Sequence, residues 1–114
     1  MAFELFWLAE AQDIYEELMA AARAAFEKRG GKGKSTKPGG LFKQVHKCIL
    51  QLATNPRHPG LQTHEYHSFP HPYDQNQKVF EAYAQNQTAG AYRVFWCYGP
   101  GKNQITIIAI TPHP

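Results

Sequence analysis

Ala91-Tyr92-Arg93-Val94-Phe95-Trp96-Cys97-Tyr98, then Gly99-Pro100-Gly101-Lys102-Asn103, then Gln104-Ile105-Thr106-Ile107-Ile108-Ala109-Ile110-Thr111, is the stretch that decides the fold. Aromatic and β-branched residues fill both runs, and the connection between them holds two glycines and a proline. That composition predicts two strands joined as a hairpin. One step upstream the pattern repeats: residues 78–85 read as a strand that turns through Asn86-Gln87-Thr88-Ala89-Gly90 into residues 91–98.

Towards the N-terminus the period changes. Phe3-Glu4-Leu5-Phe6-Trp7-Leu8 is short, apolar and aromatic, and reads as a buried first strand. Across residues 9–29, Ile14, Leu18, Ala21, Ala22 and Ala25 recur at helical spacing, with Glu10, Asp13, Glu16 and Glu17 on the other side and Gly30-Gly31 as the stop. A second helix is predicted over residues 41–53, with Leu41, Val45, Cys48, Ile49 and Leu52 as its stripe and Asn55-Pro56 as its end. Residues 61–77 are rich in His, Pro and Tyr and show little period, with room for a short strand near 62–66. The predicted order is β-α-α-(β)-β-β-β. This is an α+β fold: an antiparallel sheet with an N-terminal helical hairpin packed on one face.

A chain of 114 residues with 43% hydrophobic and 13% aromatic content is expected to form one globular domain, residues 1–114. No apolar run approaches the roughly 18 residues of a bilayer span. The start, Met1-Ala2-Phe3-Glu4, lacks the basic region of a secretory signal. Cys48 and Cys97 sit in apolar runs without CxxC spacing and read as reduced core thiols of a cytoplasmic protein, their pairing left open.

The net charge of +3 conceals a segregation. Residues 1–22 carry five acids and no Lys or Arg, whereas residues 23–57 carry nine of the twelve basic side chains against Glu27 alone. Such a block can be a footprint for a polyanion, or its charges can simply complement helix dipoles. Within it, Gly33-Lys34-Ser35 matches the end of a phosphate-binding loop, but the motif's first glycine would fall on Lys28, and a helix rather than a strand precedes it. Lys37-Pro38-Gly39-Gly40 follows at once, so no helix is expected to start there. Residues 30–40 read as a basic, flexible inter-helix connector.

The ordered motifs of residues 41–114 resemble the RelE/ParE superfamily of small bacterial toxins from toxin–antitoxin pairs. The likeness begins at Asn55-Pro56-Arg57-His58-Pro59-Gly60-Leu61 with Thr63-His64, and continues through Val79-Phe80-Glu81-Ala82-Tyr83. It is strongest at Ala91-Tyr92-Arg93-Val94-Phe95-Trp96 and closes with Ile105 to His113. The resemblance implies a RelE/ParE-like fold and a toxin bound by a cognate antitoxin protein. In the ribonuclease members it implies a ribosome-associated enzyme that cleaves mRNA without a metal or other cofactor. There the nucleotide's own 2′-hydroxyl attacks the adjacent phosphate, which requires a base, a cation for the phosphorane and an acid for the 5′-oxygen. The alternative implied is non-catalytic: an inhibitor of DNA gyrase or an inactive homologue.

Carried over residue by residue, the catalytic candidates are Arg93, His113, Glu81 and Tyr83. Arg93 is a permanent planar cation suited to phosphate, and alternation puts it on one face with Phe95 and Cys97. His113 follows the last strand and suits proton transfer. Glu81 and Tyr83, two residues apart on one strand face, suit a base and a donor or stacking ring; some members carry paired lysines there. Lys32, Lys34, Lys37, Lys43, Lys47 and Arg57 are the candidate RNA contacts. His64, His67 and His71, with His58 upstream, offer enough imidazoles for zinc, but their irregular, proline-containing spacing argues against a metal site. His64 reads as a structural position after Pro59-Gly60-Leu61.

Overall fold

The computed structural model describes residues 2–31, 36–85 and 90–112. Along the chain run β1 (Glu4–Trp7), α1 (Ala9–Lys28), α2 (Lys37–Thr54), a turn of 3-10 helix (Pro59–Leu61), β2 (His64–Glu65), β3 (Phe80–Tyr83), β4 (Tyr92–Tyr98) and β5 (Gln104–Pro112). Among the described residues no helix is long and apolar enough to cross a membrane.

The strands form one sheet in the order β1-β5-β4-β3-β2. Neighbours are antiparallel except β1, which runs parallel to β5 from Glu4 opposite Gln104 to Trp7 opposite Ile107. The antiparallel sheet expected from sequence holds for β2 to β5, and β1 adds a parallel edge that makes the sheet mixed. The chain turns back at each connection, and an even number of reversals separates β1 from β5. The helical hairpin supplies the long crossover that a parallel pair needs.

A correction concerns α2, which begins at Lys37 rather than near residue 41. Thr36 caps it: its Oγ1 accepts a hydrogen bond from the Gly39 backbone N–H at 2.9 Å. Pro38 sits in the first turn, where no partner awaits an N–H. The Lys37-Pro38-Gly39-Gly40 run is thus a helix start, not a connector. The phosphate-loop reading still lacks its preceding strand, and Lys32, Gly33, Lys34 and Ser35 lie outside the described residues.

Side-chain alternation sorts the sheet into two cores. On one face Ala82, Val94, Trp96, Ile105, Ile107 and Ile110 pack against Ala11, Val45, Cys48, Ile49 and Leu52. There α1 lies over β5 and α2 over β4. On the other face Val79, Phe95, Cys97 and Ile108 form a smaller cluster. Its cover comes from the segment that shows no period in the sequence: the Tyr66 and Phe69 rings lie 4.6 and 5.0 Å from Phe95. Further along, the Tyr73 hydroxyl meets Thr106 Oγ1 at 2.9 Å. His71 is buried, accepts at Nδ1 from the backbone N–H groups of Tyr73 and Asp74, and donates from Nε2 to the Tyr98 carbonyl. Cys48 and Cys97 are free and belong to different cores with the sheet between them, so they do not pair.

Candidate functional site

The 66–74 segment covers only part of the second sheet face. Beyond it, at the other end of β3 and β4, Arg93 lies opposite Tyr83 on one side and Thr111 on the other. Thr111 reaches that face through a bulge. Phe95 pairs with Ala109 and Trp96 with Ile107, which leaves Ile108 as the extra residue. The bulge reverses the alternation of β5, so that Ile110 joins the helix-side core and Thr111 stands beside Arg93.

Arg93 is 3% exposed. Its Nη1 donates to the carbonyls of Ala91 and Tyr92 at 3.1 and 3.2 Å, and the guanidinium carbon lies 4.0 Å over the Tyr83 ring. Two residues before Tyr83, Glu81 shares this face and pairs across strands with His64. His64 Nε2 lies 2.6 Å from Glu81 Oε1; the glutamate side chain is fully buried and the histidine 47% exposed. The His64 ring stands edge-on to Tyr83 with centroids 5.7 Å apart. The Pro59–Leu61 turn aims His64 at β3 because Gln62, its C-terminal cap, adopts the left-handed conformation at φ 49°. Four side chains of complementary chemistry thus touch in sequence: Arg93, Tyr83, His64 and Glu81.

The structure brings together Arg93, Glu81 and Tyr83 from among the residues chosen by sequence. His113 lies outside the described residues, as do Lys32 and Lys34. Lys37, Lys43, Lys47 and Arg57 are exposed on or just after α2, in the layer on the opposite side of the sheet. They do not line the cluster. His64 is the member that sequence reasoning missed as a chemical group. The available signal was a His in register with a Glu on the neighbouring strand, which requires knowing how β2 pairs.

The other histidines go elsewhere. His67 is exposed, with Nε2 3.9 Å from Glu65. Lys78 holds Glu65 at 2.9 Å, and its hydrogen bond lowers the Glu65 carboxyl below its ordinary range. His71 is used by backbone. Among the described residues no three His, Cys, Asp or Glu groups gather as metal ligands. A cavity of about 630 Å3 opens on the helix side, lined by Leu18, Ala21, Leu41 and Tyr92 with Lys37 at its rim. Its lining is mostly apolar and holds no acid–base pair, unlike the cluster on the other face.

No protein-family model matches this chain, and no curated protein is similar to it in sequence. Among solved structures it is similar to a YoeB/ParE toxin from Agrobacterium tumefaciens. The TM-score is 0.57, the match covers 97% of this chain and 99% of that one, and the sequences are 11% identical. The chain has the RelE/ParE toxin fold. The order of elements expected from sequence is the order of this toxin fold, with β2 as the optional strand. At this identity the likeness is one of fold.

Proposed function

We propose that this chain is the toxin of a toxin–antitoxin pair, a cytoplasmic, metal-independent endoribonuclease that cleaves mRNA at the ribosome by attack of a 2′-hydroxyl on the adjacent phosphate. The observation that carries this reading is the stacking of Arg93 on Tyr83 beside the Glu81–His64 pair, on the sheet face away from the helices. Arg93 meets the scissile phosphate and stabilises the phosphorane. Since Arg93 is 3% exposed, this role requires substrate binding to uncover its guanidinium edge. Tyr83 seats the cation, and His113 and the Glu81–His64 pair serve proton transfer. The basic residues Lys37, Lys43, Lys47 and Arg57 hold RNA from the helix side, and Lys32 and Lys34, outside the described residues, add to the RNA contacts. A cognate antitoxin segment covers the open face until it is released. The likeness to a YoeB/ParE toxin supports the toxin half of the reading, and the cluster supports the nuclease half.

Controlled expression in bacterial cells, with 5′-end mapping of cellular mRNA, tests it. The expected result is growth arrest with new mRNA ends, both lost in Arg93→Ala. Arrest with DNA breaks and intact mRNA would replace the nuclease by a gyrase inhibitor. Neither arrest nor cleavage would overturn both readings.

A further inference from the structure

His64 is the part of the cluster that solvent reaches. Its side chain is 47% exposed, whereas Glu81 beneath it has no exposed surface. A carboxylate so placed does not itself touch a substrate; its charge acts through the group it holds. Each imidazole nitrogen of His64 faces an oxygen. Nε2 lies 2.6 Å from Glu81 Oε1, and Nδ1 lies 3.2 Å from the Gln62 backbone carbonyl. With Glu81 ionised, a neutral imidazole would turn a lone pair towards one of those oxygens, whereas the imidazolium has an N–H for each. The other charged groups nearby do not replace Glu81 in this role. Glu65 is tied to Lys78 at 2.9 Å, His67 is exposed at 3.9 Å from Glu65, and Arg93 lies across the Tyr83 ring as a like charge.

We infer that His64 is the proton donor to the leaving group of RNA cleavage, and that Glu81 is the positioning residue that holds it as an imidazolium. The inference rests on the ribonuclease reading above and deepens it. As the 2′-oxygen bonds to phosphorus and gives its proton to a base, the bond from phosphorus to the 5′-oxygen breaks with its electron pair. The Nδ1–H of His64, turned from the Gln62 carbonyl to the substrate, delivers a proton to that oxygen. The products are a 2′,3′-cyclic phosphate, a 5′-hydroxyl and a neutral His64 whose Nε2–H still points at the Glu81 carboxylate.

Two measurements test this. Nitrogen NMR of the 15N-histidine-labelled chain, with His64 assigned from the His64→Gln variant, reads the ring directly. Both nitrogens protonated at neutral pH in the wild type, and a neutral ring in Glu81→Gln, is the expected result. A neutral His64 ring in the wild type overturns the inference whatever the RNA does. The second measurement uses ribosomes programmed with an mRNA whose scissile phosphate carries either oxygen or sulfur at the 5′-bridging position; a thiolate leaves without an acid. His64→Gln, checked for a native circular-dichroism spectrum, should slow the oxygen substrate by roughly 100-fold or more and leave the sulfur substrate at the wild-type rate. Equal slowing of both, or slowing of neither, overturns the donor role. Failure of the wild-type protein to cut either message overturns the ribonuclease reading itself, and the wild-type control tells that failure apart from the others.

Discussion

The guanidinium of Arg93 lies 4.0 Å over the ring of Tyr83, its cross-strand partner. A flat cation resting on a flat ring, with Nη1 bonded to the Ala91 and Tyr92 carbonyls, is held in one orientation. A flexible ammonium does not reproduce that geometry. Arg93→Lys should therefore behave nearly as Arg93→Ala, each losing roughly 100-fold or more of the cleavage rate on ribosome-bound mRNA. A lysine variant close to the wild-type rate would mean that charge alone suffices there.

Tyr83 separates a seating role from a proton-transfer role. Tyr83→Phe keeps the ring face under Arg93 and removes the hydroxyl, whereas Tyr83→Ala removes both. The expected outcome is near-normal cleavage by the Phe variant and loss in the Ala variant comparable to Arg93→Ala. Loss in Tyr83→Phe alone would transfer the role to the hydroxyl.

Lys37, Lys43, Lys47 and Arg57 stand on the helix side, away from the cluster. Changing them to Gln should weaken binding to RNA or ribosomes while leaving the saturated single-turnover rate unchanged. For every phosphate that thereby goes unneutralised, the dependence of log affinity on log salt should flatten by about 0.7–0.9. An unchanged salt slope would remove these residues from RNA binding.

Burial pushes the Cys48 thiol up to about 12 and the Cys97 thiol up to about 11. In the unfolded chain both titrate near about 8.5. The folded state therefore binds these protons more tightly. The resulting stabilisation is complete below the unfolded value and is lost as pH rises through it towards the folded ones. Tm should fall as the solution becomes alkaline, and iodoacetamide at about pH 8 should label the thiols only after denaturation. Prompt labelling of the native protein would contradict the buried placement of both.

Much of the cluster was legible because β3 and β4 keep a strict two-residue period where they carry it. Alternation alone puts Glu81 with Tyr83, and Arg93 with Phe95. The end of β5 was not legible: alternation assigns Thr111 to the face of Ile105, and the bulge at Ile108 reverses that. Whether a strand accommodates an extra residue depends on what packs against it, here Phe95 on one face and Trp96 on the other. His64 was hidden for a related reason. A strand of two residues has no period to read, and its pairing with Glu81 depends on the left-handed Gln62 before it. Proline and glycine in Lys37-Pro38-Gly39-Gly40 pointed away from a helix, until the cap at Thr36 made those positions a first turn. The parallel alignment of β1 is a property of the whole path of the chain, which no local pattern records.

Removing one oxygen from the substrate asks the question most simply. Ribosomes programmed with a short mRNA are incubated with the purified protein, and the new ends are identified by mass spectrometry. An all-ribose message should be cut to a 2′,3′-cyclic phosphate and a 5′-hydroxyl, and a message with a single 2′-deoxy sugar at the scissile nucleotide should remain intact at that site. Cleavage of the deoxy-substituted message there, or the appearance of 5′-phosphate ends, would contradict attack by the 2′-hydroxyl.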